Sequence, residues 1–207
     1  MTEKKIYFFD FDGVILDTVG LKGEAFQEVY SSEMKCLQEK VLNYHNENGG
    51  VSRVDKFHFW EKEIFKRDPT SDRIDHLCKL FNTIVLDKIK AAKEIAGATQ
   101  FVHSLNAKNC YLITGTPHEE IRIILRERGL CNLFNEFYGY PNQKSSVMKE
   151  IINKRKIQPS DCVMFGDSMT DYRASKAAEV DFIGINPSKE LLKQRDLISY
   201  KDFNELN

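Results

Sequence analysis

Four short runs of consecutive apolar residues set the tightest limit on what this chain can fold into: Ile6-Tyr7-Phe8-Phe9, Cys110-Tyr111-Leu112-Ile113, Cys162-Val163-Met164-Phe165 and Phe182-Ile183-Gly184-Ile185. None alternates with polar residues. A strand with one wet face alternates and a strand covered on both faces does not, so these runs read as buried parallel strands with helices on either side. Helical patterns lie between the later ones. Pro117 to Arg128 carries Ile121, Ile124 and Leu125 on one face. Thr116 is its expected N-cap, with Pro117 at the first helical position, Glu119 three residues beyond the cap, and Gly129 closing it. Strand and helix alternate from about residue 98 onward. The expected fold class is therefore α/β, a doubly wound Rossmann-like parallel sheet.

Between the first run and the others this rhythm breaks. Residues 19–94 contain no convincing strand. Phe26, Tyr30, Met34, Leu37, Val41 and Tyr44 recur at helical spacing, as do Ile74, Leu77, Phe81, Ile84 and Ile89. Asn46 to Gly50 and Asp68-Pro69-Thr70 punctuate the pattern. Some 75 residues, roughly, are too many for a crossover and suit a small helical domain. The expected organisation is an α/β core made of 1–18 and 95–207, with a helical domain at 19–94 inserted into it.

Composition then removes whole classes of function. The chain has 30 basic and 31 acidic residues, which leaves no electrostatic footprint for nucleic acid or an anionic membrane. No apolar run approaches a membrane span, and the opening Met-Thr-Glu-Lys-Lys does not read as a signal peptide. The five cysteines are odd in number, widely spaced, and form no C-x-x-C pair. They read as reduced thiols in a cytoplasmic protein.

Ligands of doubly wound sheets bind beyond the carboxyl ends of the strands. Past the first run comes Asp10-Phe11-Asp12-Gly13-Val14, past the second Thr114-Gly115-Thr116, past the third Gly166-Asp167-Ser168-Met169-Thr170-Asp171. Asp-x-Asp alone has little weight in a chain this acidic. Four carboxylates and a hydroxyl converging on one sheet edge have more. Such a cluster needs a cation to offset its mutual repulsion. Oxygen ligands without matching His or Cys favour a hard ion, and Mg²⁺ is the common choice where phosphate is the substrate. The histidines His45, His58, His76, His103 and His118 fit no ligand spacing and read as surface or packing residues.

On these residues the chain resembles the haloacid dehalogenase-like superfamily. Asp10-Phe11-Asp12-Gly13-Val14-Ile15 looks like its first motif, Thr114 falls at the second, Lys144 fits the third, and Gly166-Asp167-Ser168-Met169-Thr170-Asp171 matches the fourth. All four occur in order, and the helical insertion sits where β-phosphoglucomutase-like and phosphoglycolate phosphatase-like members carry a type 1 cap. The resemblance implies that Asp10 is a nucleophile forming an aspartyl-phosphate and that Asp12 is the general acid–base. It implies Mg²⁺ held by Asp10, Asp12 (through its carbonyl) and Asp167, with Asp171 in the metal set or orienting its water or Lys144. Thr114 and Gly115 would hold phosphoryl oxygens, and Lys144 would neutralise charge. Lys22 and Arg53, in the cap or its entry, are expected to bind substrate.

The expected activity is Mg²⁺-dependent hydrolysis of a small phosphorylated metabolite, a sugar phosphate or phosphoglycolate-like acid. The expected assembly is a monomer or small homo-oligomer. Asp12 disfavours carbon–halogen chemistry, because dehalogenases lack the second acid of the first motif. A phosphosugar mutase is the alternative, although β-phosphoglucomutase has a His where this chain has Lys22. A phospho-accepting receiver domain fits less well, since it phosphorylates a later strand and has no long helical insertion.

Overall fold

In the computed structural model, which describes residues 4–206, each of the four apolar runs is a strand. The ends of the expected core, 1–3 and 207, lie outside the described residues. The strands are β1 (Ile6–Phe9), β2 (Cys110–Pro117), β3 (Glu136–Tyr140), β4 (Cys162–Gly166), β5 (Asp181–Ile185) and β6 (Ser199–Tyr200). They form one parallel sheet in the order β3-β2-β1-β4-β5-β6. The first strand is thus central, with Phe9 opposite Leu112 on one side and Phe165 on the other. Strand order reverses between β1 and β4, so a crevice opens at the carboxyl end of β1.

Two strands were not legible as apolar runs. β3 lies at one edge of the sheet and is mostly half-buried, so Glu136 and Gly139 interrupt its sequence. β6, at the other edge, has only two residues. β2 also runs further than its apolar stretch. It continues through Pro117, which makes Thr116 a strand residue and not the expected N-cap; Pro117 itself flanks the helix that follows.

The sheet is flanked by helices from outside the insertion, and the insertion's helices pack mainly on one another. The insertion supplies α1 (Val19–Val29), α2 (Lys35–Glu47), α3 (Arg53–Phe59) and α4 (Ser71–Lys90), and the remainder supplies α5 (Ala98–Ser104), α6 (His118–Glu127), α7 (Lys144–Arg155) and α8 (Met169–Ala177). The period of two in β1 divides its side chains between the faces. Ile6 and Phe8 pack with Val147, Met148 and Ile151 of α7. Phe9 stacks on Phe165 at 5.0 Å between ring centres, with Phe101 and Phe203 against them. Each such buried ring contributes about 1.5–3 kcal/mol.

The insertion leaves and rejoins the sheet layer through paired linkers. The Asp17 N–H donates to Lys93 O at 2.8 Å, and the Ile95 N–H donates to Ile15 O at 3.0 Å. Its helical periodicity runs on through a break at residues 30–34, where Met34 flanks α2 and is 67% exposed. The helices close around Phe26, which meets Phe81 at 4.1 Å, Trp60 at 4.8 Å and Phe57 at 5.5 Å. One wide π turn, Trp60–Ile64, extends α3 and sets Trp60 among Phe26, Tyr30, Tyr44 and Phe57. Among the described residues no helix is long and apolar enough to cross a membrane.

Trp60 is fully buried, so its loss should leave a cavity that the surrounding rings cannot fill. Trp60→Ala is expected to cost about 3–5 kcal/mol in urea unfolding. A loss below about 1 kcal/mol, within the range of an ordinary surface change, would mean the insertion does not rest on this aromatic cluster.

Candidate active site

Asp10 sits one residue beyond β1, its N–H donating to Phe165 O at 2.9 Å across to β4. The backbone then turns away at Gly13, with φ of +78°. A Cβ there would lie 2.7 Å from Asp167 Oδ2, so glycine serves both the left-handed turn and the approach of the two acidic loops. Asp167 follows β4. Ser168 caps α8, and its N–H and hydroxyl both donate to Asp171 Oδ2, at 3.2 and 2.6 Å. Lys144 opens α7 after β3.

These loops bring Asp10, Asp167 and Asp171 together, one oxygen of each lying within 4.8 Å of the others. All three are buried. The Lys144 ammonium joins two of them. It lies 2.8 Å from Asp10 Oδ1 and donates a hydrogen bond to Asp171 Oδ1. Burial, reinforced by the neighbouring carboxylates, pushes Asp10 up to about 7 against the lowering effect of Lys144. Burial and the charges of Asp171 and Asp10 likewise hold Asp167 well above the usual carboxylate range. Burial alone would lower Lys144, but Asp10 and Asp171 more than offset it and hold its pKa above the ordinary value. One ammonium does not balance three carboxylates. Asp10 Oδ1 is buried, with the Lys144 ammonium as its charged neighbour. An all-oxygen donor set with this deficit fits a hard divalent cation such as Mg²⁺.

The side chain of Asp12 does not belong to that group. Its Oδ1 accepts from the Thr18 hydroxyl, and its Oδ2 accepts from Lys22 Nζ at 2.6 Å and from Thr116 Oγ1 at 2.9 Å. Burial raises its pKa, but Lys22 and these hydrogen bonds prevail and bring it to about 2. Asp12 is therefore an ionised carboxylate held in one orientation. Lys22, expected to face substrate, is engaged with the second acid of the first motif. Thr116, expected to cap a helix, is the third arm of the same network.

Thr114 and Gly115 lie near the end of β2. The Thr114 hydroxyl accepts from the Thr116 N–H at 3.1 Å. Gly115 runs against the loop between α2 and α3, where a Cβ on it would come within 2.6 Å of Gly50 O. Only bare backbone lets the insertion approach the sheet edge so closely. The cleft in front of Asp10 is bounded by Val19, Lys22, Phe26 and Lys56 of the insertion and by Asp12 and Gly115. Thr114 and Lys144 line an adjoining opening beyond Gly50 and Gly115.

Arg53 also reaches the cleft, but its guanidinium is already ion-paired with Glu120 of α6 and lies over the Phe81 ring at 4.9 Å. His45 and Lys56 have no assigned role in the sequence pattern. His45 is buried at the cleft wall and is not merely packing: its Nδ1 accepts from Lys56 Nζ at 2.9 Å. The spacing of Arg53 and Lys56, one helical turn apart, was the available signal.

Comparison with known proteins agrees with this architecture. A family model described as haloacid dehalogenase-like hydrolase matches residues 7–185. A phosphoglycolate phosphatase of Psychrobacter arcticus is 23% identical, over 99% of this chain and 94% of that protein. A phosphorylated carbohydrates phosphatase of Thermotoga maritima is 24% identical, over 89% and 88%. The crystal structure of a predicted phosphoglycolate phosphatase from Haemophilus somnus superposes with a TM-score of 0.76 at 17% identity, covering 100% of this chain and 97% of that one. The order of the strands, the acidic loops at the end of β1 and β4, and a match across most of its length make this chain a member of the haloacid dehalogenase-like hydrolase family.

Proposed function

We propose that this protein is a Mg²⁺-dependent phosphatase of small phosphorylated metabolites, working through an aspartyl-phosphate on Asp10. The observation that supports this most is the placement of Asp10: at the end of the central strand, buried, against Lys144, and within reach of Asp167 and Asp171. The curated relatives named as phosphatases support the same reading. In this account residues 1–18 and 95–207 are the catalytic core, and 19–94 are a cap whose Gly50 closes on Gly115.

Asp10 and Asp167 would hold the ion with the Asp12 carbonyl, and Asp171 would act through Lys144 and Ser168. The ion offsets negative charge shared by nucleophile and substrate. Asp10 attacks phosphorus in line and expels the alcohol. Lys144 opposes protonation of the attacking carboxylate, and Thr114 and the Gly115 backbone steady the phosphoryl oxygens. In the second half-reaction Asp12 takes a proton from the attacking water. The Lys22 ion pair and the Thr18 and Thr116 hydrogen bonds favour the carboxylate form and support this role of Asp12. Its acid form, needed for the leaving oxygen, requires loss of the Lys22 ion pair, so Lys22 sets when Asp12 carries a proton.

The metal is tested by phosphate release from an aryl phosphate ester. EDTA should abolish it and Mg²⁺ should restore it, with Asp12→Asn losing about 10²–10⁴ in turnover. Full activity in chelator would contradict the metal assignment.

The Lys22 pair has its own signature. Without the ammonium the Asp12 pKa rises, so Lys22→Met should move to higher pH the alkaline limb of the kcat/KM profile, where Asp12 acts as the acid of the first half-reaction. An unmoved limb would place Lys22 outside the acid–base couple.

A further inference from the structure

In-line attack on phosphorus fixes where the leaving oxygen lies: on the far side of the phosphoryl group from Asp10. Thr114 and Lys144, which would serve the phosphoryl oxygens, line the opening beyond the Gly50–Gly115 contact. The wall of the cleft that faces Asp10 is made by the insertion, with Lys22, Arg53 and Lys56 as its cations. Two of these are committed, Lys22 to Asp12 and Arg53 to Glu120. Lys56 of α3 is the exception. It is 3% exposed, and among the described residues no carboxylate forms an ion pair with it.

His45 orients this ammonium without balancing it. Its Nδ1 accepts from Lys56 Nζ at 2.9 Å, so the ring proton sits on Nε2, which donates to Val19 O at 3.1 Å. Burial, helped by the Lys56 charge, pushes His45 down to about 3 and keeps the ring neutral. The Phe26 ring centre lies 5.8 Å from Nζ on another side. Burial, and then the charge of Lys22 on α1, lower Lys56 itself to about 7 against the attraction of Asp12 and Asp167. A buried cation short of counter-charge is costly at rest, and it stabilises an anion that forms in front of it. The leaving oxygen becomes such an anion only as its bond to phosphorus breaks. An interaction of this kind is stronger in the transition state than in the bound substrate, which is what accelerates a reaction.

We infer that Lys56, oriented by His45, is a further catalytic residue, which donates a hydrogen bond to the leaving oxygen and offsets the charge that builds there. This inference rests on the phosphatase reading of the site. In the step a bond forms between an Asp10 carboxylate oxygen and phosphorus. The ester P–O bond breaks, and its electron pair goes to the alcohol oxygen. That oxygen takes its proton from the acid form of Asp12, while Lys56 keeps its own and stays an ammonium. Asp12 thus supplies the proton, and Lys56 carries the charge until the proton arrives. The need for Lys56 follows the basicity of the departing alcohol. An alkoxide needs the help, whereas a nitrophenolate is already stable as an anion.

The test is the dependence of kcat/KM on the leaving group, in Mg²⁺, across the phosphate esters of a simple alcohol, of phenol and of dinitrophenol. This constant reports the first half-reaction alone, whatever limits turnover of the phosphoenzyme. Lys56→Met should lose on the order of 10²-fold on the alkyl ester, the effect of removing one donor to a developing oxyanion. The loss should shrink on phenyl phosphate and vanish on dinitrophenyl phosphate, and Lys56→Arg should keep part of the alkyl activity. Activity on the dinitrophenyl ester shows that each variant is folded. If Lys56→Met does not fold, Lys56→Ala with added ethylammonium makes the same comparison, with rescue expected on the alkyl ester alone. A loss of equal size on all three esters, or no loss on the alkyl ester, would overturn the inference and leave the phosphatase reading intact. Failure of the wild-type protein to release phosphate from any ester would sink the phosphatase reading instead.

Discussion

A single buried ammonium, that of Lys144, touches two carboxylates while a third stands beside them. Three acids within 4.8 Å of one another repel strongly in a low-dielectric site, and burial together with that repulsion raises the pKa of Asp10 and Asp167. Removing one partner of such a buried pair typically costs about 3–5 kcal/mol, because the other charge is left uncompensated. The arrangement is therefore poor for stability and well suited to capturing a cation and a phosphoryl group. Every other feature of the core serves to hold it: the central strand that ends at Asp10, the Gly13 turn that admits Asp167, and the Ser168 cap that fixes Asp171.

Around this centre the insertion forms a second, less balanced layer of charge. Its first helix supplies Lys22 to Asp12, beside Thr18 just ahead of it, and its third helix supplies Arg53 and Lys56 to the cleft. Arg53 is fastened to Glu120 of α6, so the insertion and the sheet layer are joined by a buried ion pair as well as by the Gly50–Gly115 contact. The acidic cluster thus lies at the ends of the sheet strands, and Lys22, Arg53 and Lys56 of the insertion line the cleft in front of it.

Much of this was legible in the sequence, and the rest was hidden for physical reasons. Strands buried on both faces must be apolar throughout, which made β1, β2, β4 and β5 visible and left the half-exposed edge strand β3 unseen. The acidic loops could be read because ligand sites of doubly wound sheets lie at strand ends. Thr116 was misread because a Thr before a Pro resembles a helix cap; the strand extends past it and turns its hydroxyl to Asp12. Lys22 and Arg53, expected to bind substrate, line the cleft but are ion-paired with Asp12 and Glu120; the second pairing spans 67 residues and leaves no local signal. His45 and Lys56 were the hardest to find. Each is one polar residue on an amphipathic helix, and only packing shows that the two are buried together.

The central claim is that Asp10 carries the phosphoryl group, and trapping that species tests it most directly. The protein would be mixed with Mg²⁺ and a radiolabelled phosphomonoester, quenched in acid within milliseconds, digested and mapped. The account predicts label in the peptide containing Asp10, labile to hydroxylamine as an acyl phosphate is, and none in Asp10→Asn. Label on another residue, or normal turnover by Asp10→Asn, would contradict it.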